Sequence, residues 1–213
     1  MSAKERGRKR RSLKRRTETT AVRTTFRIYT EGTATEPEYI DSFKRLPEFA
    51  EAVSVDITIG EAGATPMRLV EKACADKRRD DLDIDFYWCV FDVEHPMPHP
   101  YLDRARNMAR DNKVNLAISN PCFELWLILH HRSYTAHLST DAAISLRRQL
   151  DGADGKHFDS RTYMDLRHEA VRRARSLRRK HLNDGTRFPE DNPSSSFDEL
   201  LTQIATRMTS SEQ

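Results

Sequence analysis

Apolar positions along this chain change period several times, and the changes mark the elements. Thr25–Thr30 carries a short β-branched and aromatic run, which predicts a strand. Glu36–Leu46 follows with Tyr39, Ile40, Phe43 and Leu46 at helical spacing, and Pro37 suits the first turn of that helix. Val53, Val55, Ile57 and Ile59 alternate with polar residues, the signature of a half-buried strand. Pro66 opens a helix to about Arg79, with Met67, Val70, Cys74 and Lys77 tracing one face. Phe86–Phe91 is continuously apolar and predicts a strand covered on both faces. A charged helix over Tyr101–Asn112 and a strand over Val114–Ser119 complete the alternation. Strands and helices taking turns in this way define an α/β fold with a mostly parallel sheet and right-handed crossovers.

Beyond Asn120 the alternation gives way to helices alone. Phe123–His131 reads as an apolar helix, Asp141–Leu150 as a second and Thr162–His181 as a long basic third. Ser196–Met208 closes the series, with Phe197, Leu200, Leu201 and Ile204 on one face and Ser194 to Ser196 as candidate N-caps. The expected organisation is a disordered basic tail over 1–22, an α/β core over 23–131, and a helical addition over 132–213 packed on that core.

Charge sharpens this division. The chain has 36 Lys/Arg and 33 Asp/Glu, and residues 1–22 take nine of the bases but only Glu5 and Glu18 of the acids. The tail is therefore +7, and the remaining 27 bases and 31 acids leave the body at −4. Such a tail suits a polyanion through counterion release, or simply solubilises the chain. No apolar segment follows the basic N-terminus, and no run is long enough to cross a bilayer. Cys74, Cys89 and Cys122 lack metal or disulfide spacing and read as reduced core thiols, so a cytoplasmic location is expected.

The chemistry gathers where strands end. Asp92 and Glu94 leave the Phe86–Phe91 strand, and Glu31, followed by Gly32, leaves the first. Parallel strands open their carboxyl ends to one edge, so Glu31 meets the pair if the two strands are neighbours. Asp92 and Glu94 could flank a hard cation such as Mg2+, with Glu31 binding a second ion or moving protons. Acids at strand ends also simply cap the helices that follow.

Thr30-Glu31-Gly32, Thr35-Glu36-Pro37-Glu38-Tyr39, Val90-Phe91-Asp92-Val93-Glu94-His95 and Ser119-Asn120-Pro121-Cys122-Phe123-Glu124-Leu125-Trp126-Leu127 together resemble the RloB family. The likeness runs over about residues 24–205, including Asn192-Pro193-Ser194-Ser195. That family is associated with bacterial restriction and abortive phage-defence loci, and its core resembles the Toprim fold of topoisomerases, DnaG-type primases and OLD-family nucleases. The resemblance implies that Glu31 serves acid/base work or metal binding, and that Asp92 is the first acid of an Asp-x-Asp metal pair. Glu94 stands where the second aspartate is usual, so its contact with metal is direct or through water. It also implies an AAA- or ABC-type ATPase partner.

Other positions join the candidates. Glu124 interrupts an apolar helix, where an acid without a partner would be expensive; it and Asn120 are expected to face the Asp92 crevice and orient what binds there. Glu36 sits at or near a helix start. His95 and His99 lie on a proline-rich loop after the acid pair, and His95 could act as a base. Lys156 could meet a phosphate, and Arg172, Arg175 and Arg179 share a helix face that could track a nucleic-acid backbone. The function expected is that of a Mg2+- or Mn2+-dependent nuclease acting on RNA, tRNA included, or DNA in anti-phage defence. The rival is a non-catalytic module that binds nucleic acid or the ATPase, for which Glu94 in place of aspartate is the best support.

Overall fold

The computed structural model describes residues 23–50, 53–61, 64–79, 83–153 and 157–206. The tail over 1–22 and Lys156 lie outside them. Four parallel strands, β1 (Thr24–Thr30), β2 (Val53–Ile59), β3 (Phe86–Asp92) and β4 (Asn115–Asn120), form the sheet with a two-residue antiparallel strand β5 (Ser194–Ser195), in the order β2-β1-β3-β4-β5. Helices α1 (Thr35–Lys44), α2 (Pro47–Ala50), α3 (Pro66–Arg79), α4 (Leu102–Asp111), α5 (Phe123–His131), α6 (Thr140–Asp151), α7 (Ser160–Asp184) and α8 (Phe197–Thr206) flank it.

Strand residues alternate between two cores because successive side chains point to opposite faces. Phe26, Ile28, Trp88, Val90 and Ala117 pack with α1, α5, α7 and α8, whereas Tyr29, Tyr87, Cys89 and Phe91 pack with α3 and α4. β3 lies between β1 and β4 and so has neighbours on both edges and both faces, which is why its sequence is a continuous apolar run. β2 is at the edge, and its alternation is correspondingly looser, with Ile59 48% exposed.

The layers fix where a ligand crevice opens. From β1 the chain leaves through α1 on one face to reach β2, and from β3 it leaves through α4 on the other face to reach β4. Between β1 and β3 the winding therefore reverses, and an open α/β sheet leaves a crevice at the carboxyl ends of such a pair.

The C-terminal helices are joined to this sheet through α5, whose residues Leu125 to Leu129 are wholly buried. Ser194 to Ser196 do not serve as the expected caps for α8 alone. Ser194 and Ser195 pair with β4, and Ser196 accepts from the Ile118 amide, while Ser195 Oγ accepts from Phe197 N–H. Asp198, 1% exposed, accepts from both terminal guanidinium nitrogens of Arg178, which also donates to the Ser195 carbonyl. One ion pair thus ties α7 and α8 to the last strand. Arg178→Met strands a buried carboxylate and is expected to destabilise the protein by roughly 3 kcal/mol, the low end for such a break because Arg175 stays 3.4 Å from Asp198. Adding Asp198→Leu is expected to recover most of that loss, measured by urea unfolding.

Candidate functional site

The crevice at the β1/β3 reversal is acidic. A cleft of about 220 Å³ is lined by Glu31, Gly32, Glu36, Asp92, Glu94, Cys122, Glu124, Thr140 and Ile144 among others. A larger cavity of about 320 Å³ lies beside β2 and α3 and holds none of these acids. The acids decide which is the candidate site.

Each carboxylate is delivered by a different element. Glu31 follows β1 and its amide donates to the Val90 carbonyl, extending the β1–β3 ladder by one residue. Asp92 ends β3, and its own amide points at Glu31 Oε2, 3.3 Å away. Glu94 follows in the left-handed region, at φ 69°, with its amide on the Pro121 carbonyl at 2.8 Å. Glu36, 6% exposed, comes from the first turn of α1, and Glu124 from the first turn of α5. Carboxylates at helix N-termini are favoured by the helix dipole, which makes these two tolerable beside the others.

Gly32 makes room for this arrangement. A Cβ built there would lie 1.9 Å from Glu36 Oε2 and 2.3 Å from Oε1, so the Glu36 carboxylate rests directly over the bare glycine backbone. Glu124 answers the expectation of a buried acid differently: it is partly exposed and opens onto the cleft at the start of an otherwise buried helix.

Crowding shows in the acidities. Burial first, with the nearby Glu94 and Glu36 adding to it against the opposing Asp92 amide, lifts the Glu31 carboxyl to about 7. Asp92 is held well above the carboxylate range, first by burial and then by Glu36, Glu124, Glu31 and Glu94. Burial, with Asp92 and Glu124, likewise raises the Cys122 thiol. The donors are hard oxygens, the set that Mg2+ or Mn2+ takes. Among the described residues, no group of three or more His, Cys, Asp or Glu side chains is placed so that it could hold a metal ion as it stands.

Two positioning contacts escaped the sequence. His99 Nε2 lies 2.9 Å from Glu31 Oε1, so the histidine of that loop that meets an acid is His99. His95 turns its ring against His137 instead, at 4.4 Å between centroids. Thr140, the first residue of α6, donates its hydroxyl to Glu94 Oε2 at 2.6 Å and accepts from the His95 amide at 3.1 Å. Its own amide closes the clasp on the His95 carbonyl. Nothing local marks Thr140, since it lies 46 residues from Glu94. Cys122 borders Glu124 within a motif already singled out, and that adjacency was the available signal.

Other candidates lie elsewhere. Asn120 is buried and donates to the Pro189 carbonyl and Asp191, so it holds the segment before β5 and does not line the cleft. Arg172 pairs with Glu169, and Arg175 with Asp198 and Thr202; Arg179 is exposed.

Fold and crevice define the class: an α/β protein whose mostly parallel sheet gathers carboxylates at its topological switch point. The chain belongs to the RloB-like family, whose model, described as RloB-like protein, matches residues 26–204. Comparisons with curated proteins and with solved structures found no match. Among the described residues, no helix is long and apolar enough to cross a membrane.

The raised Glu31 pKa has a stability consequence with a definite sign. The folded form keeps a proton that the unfolded chain releases, so stability present below about 4.5 is lost as pH rises through about 7. In metal-free buffer, Glu31→Gln is therefore expected to exceed wild type in urea stability at pH 8 by up to about 3 kcal/mol. The gap should close towards pH 4.5; a gap independent of pH would contradict it.

Proposed function

We propose that the chain is a metal-dependent nuclease with a Toprim-like site, hydrolysing phosphodiester bonds of RNA or DNA in anti-phage defence under the control of a partner ATPase. The observation that carries this reading is the cluster of Glu31, Glu36, Asp92, Glu94 and Glu124 around one cleft, with Asp92 raised by all four of the others. Carboxylates brought together at such electrostatic cost are the usual mark of a site that a cation completes. The donor chemistry suits Mg2+ or Mn2+, since all five side chains offer oxygen to one cleft, and their carboxylates would converge further to close around an ion.

Asp92 and Glu94 are assigned to hold the ion, with Glu36 and Glu124 closing its surroundings. When bound, the ion would neutralise charge building on a scissile phosphate. Glu31, with its pKa near 7, divides between acid and base forms at neutral pH and suits proton transfer to or from the reacting oxygens. His99, on Glu31 Oε1, fixes the direction in which that carboxyl presents its other oxygen. Thr140 holds Glu94 in the same way. The basic tail and Arg179 are assigned to the phosphate backbone through non-specific charge attraction. Arg172 and Arg175 already have acidic partners and contribute less.

A second reading, in which the chain binds nucleic acid or the ATPase without cutting, is favoured by one observation. Glu94 replaces the usual aspartate, and its Oε2 is engaged by Thr140. Two experiments separate the readings. Purified chain, with any partner ATPase encoded nearby, is incubated with tRNA and with plasmid DNA in Mg2+ or Mn2+. Wild type is expected to cleave, and Asp92→Asn to lose on the order of a hundredfold or more in rate; equal cleavage by both removes Asp92 from the chemistry.

Metal binding is read separately by thermal unfolding. Mg2+ is expected to raise the wild-type Tm at pH 8, as any ligand of the folded state does, and to leave Asp92→Asn unmoved. Gly32→Ala should keep the fold within about 1 kcal/mol, because only the flexible end of Glu36 must shift, yet shrink the Mg2+ effect. A full Mg2+ response in Gly32→Ala excludes Glu36 from the site.

A further inference from the structure

We propose that the loop between β3 and α4 is a platform on which an unpaired base stacks, so that the acidic cleft receives single-stranded or locally opened nucleic acid. This rests on the nuclease reading and adds the form of its substrate.

The loop is pinned to the site at both ends. Its start is clasped to α6 by the paired bonds between His95 and Thr140. Further along, the His99 amide bonds the Val93 carbonyl and the His99 ring bonds Glu31. Pro96, Pro98 and Pro100 lie between and beside these anchors and restrict the backbone further. On this held loop stand Met97, 84% exposed, and Tyr101, 68% exposed. They are two of the four exposed large apolar side chains among the described residues, and the other two, Ile59 and Leu182, lie singly in other elements. Tyr101 also has φ 63°, a conformation that a bulky residue adopts at some cost. Isolated apolar residues on a surface need no explanation; these two share one loop that is hydrogen-bonded to the site at both anchors.

Electrostatics selects the occupant. A phosphate backbone is repelled by the carboxylates except where a cation intervenes, so purchase close to the cleft must come from a contact that carries no charge. Stacking of a base face on an aromatic ring supplies that contact, and it is open only to bases outside a duplex. Arg104 and Arg106 are exposed on α4 just after Tyr101, Arg106 resting over the Phe188 ring, and bring positive charge to the same segment for flanking phosphates.

The test uses the full chain in EDTA, so that cleavage plays no part, and at high salt, where phosphate contacts of the basic tail are weakened. An oligonucleotide carrying 2-aminopurine is titrated alone and annealed to its complement. The single strand is expected to bind more tightly and to lose fluorescence as the base stacks. Tyr101→Ala is expected to weaken it roughly 5- to 100-fold, with Tyr101→Phe near wild type. Met97→Ala, which removes only an exposed side chain, should weaken binding in the same direction and guards against a folding defect in Tyr101→Ala. Equal affinity for strand and duplex overturns the platform, as does unchanged binding in both alanine variants. So would a change confined to sedimentation, which would mark the loop as a protein interface. If these variants lose single-strand binding while wild type and Asp92→Asn cleave equally or not at all, the platform stands and the assignment of catalysis to the cleft falls.

Discussion

Carboxylate repulsion at the β1/β3 edge is the constraint around which the rest of this structure is arranged. Five acids face one cleft, and Asp92 feels all the others. Left in water, such groups would move apart; here each is fixed by an element that the hydrophobic cores already hold. Glu31 and Asp92 cannot separate because β1 and β3 are hydrogen-bonded neighbours. Glu36 and Glu124 cannot retreat because α1 and α5 bury Tyr39, Ile40 and Leu125 to Leu129. Apolar burial of about 25 cal/mol per Å2 thus works against a local electrostatic penalty and keeps it in place.

Seen this way, the C-terminal helices take part in the site. α6 begins with the threonine that grips Glu94, and its Ile144 lines the cleft. α6 packs in turn on α5, which carries Glu124 and itself packs on α7. α7 is bound through Arg178 and Asp198 to α8 and β5. An unbroken series of packed elements therefore joins the far helices to the acids. A loss of packing anywhere along it loosens the wall of the cleft opposite the sheet.

The parts of this design that were legible in the sequence are those encoded by short-range pattern. The β3 run is apolar because it is covered on four sides, and that period is visible in six residues. Glu31 and Asp92 stood out because each ends such a run, and parallel pairing then brings them to one edge. Glu36 and Glu124 were visible as acids near helix starts. What could not be read depends on contacts between distant segments. Thr140 has no motif of its own, and choosing His99 over His95 requires knowing how the loop turns after Glu94 at φ 69°. Asn120 looked like part of the site because it adjoins β4's end, but its amide serves the Pro189–Asp191 segment about 70 residues on. Likewise the arginine stripe of α7 is regular in sequence, yet Asp198 and Glu169 have claimed two of its three cations.

Glu94 is where the Asp-x-Asp pattern expected from the sequence meets the geometry. An aspartate at this position would keep its carboxylate close to the backbone, beside Asp92. The glutamate stands on a left-handed residue whose amide is fixed on the Pro121 carbonyl, and its side chain extends to the first residue of α6. The additional methylene supplies that reach while Glu94 still lines the cleft. The glutamate therefore joins the wall built by α6 to the edge of the sheet. The longer acid and the helix beyond the sheet thus meet in one hydrogen bond at the cleft.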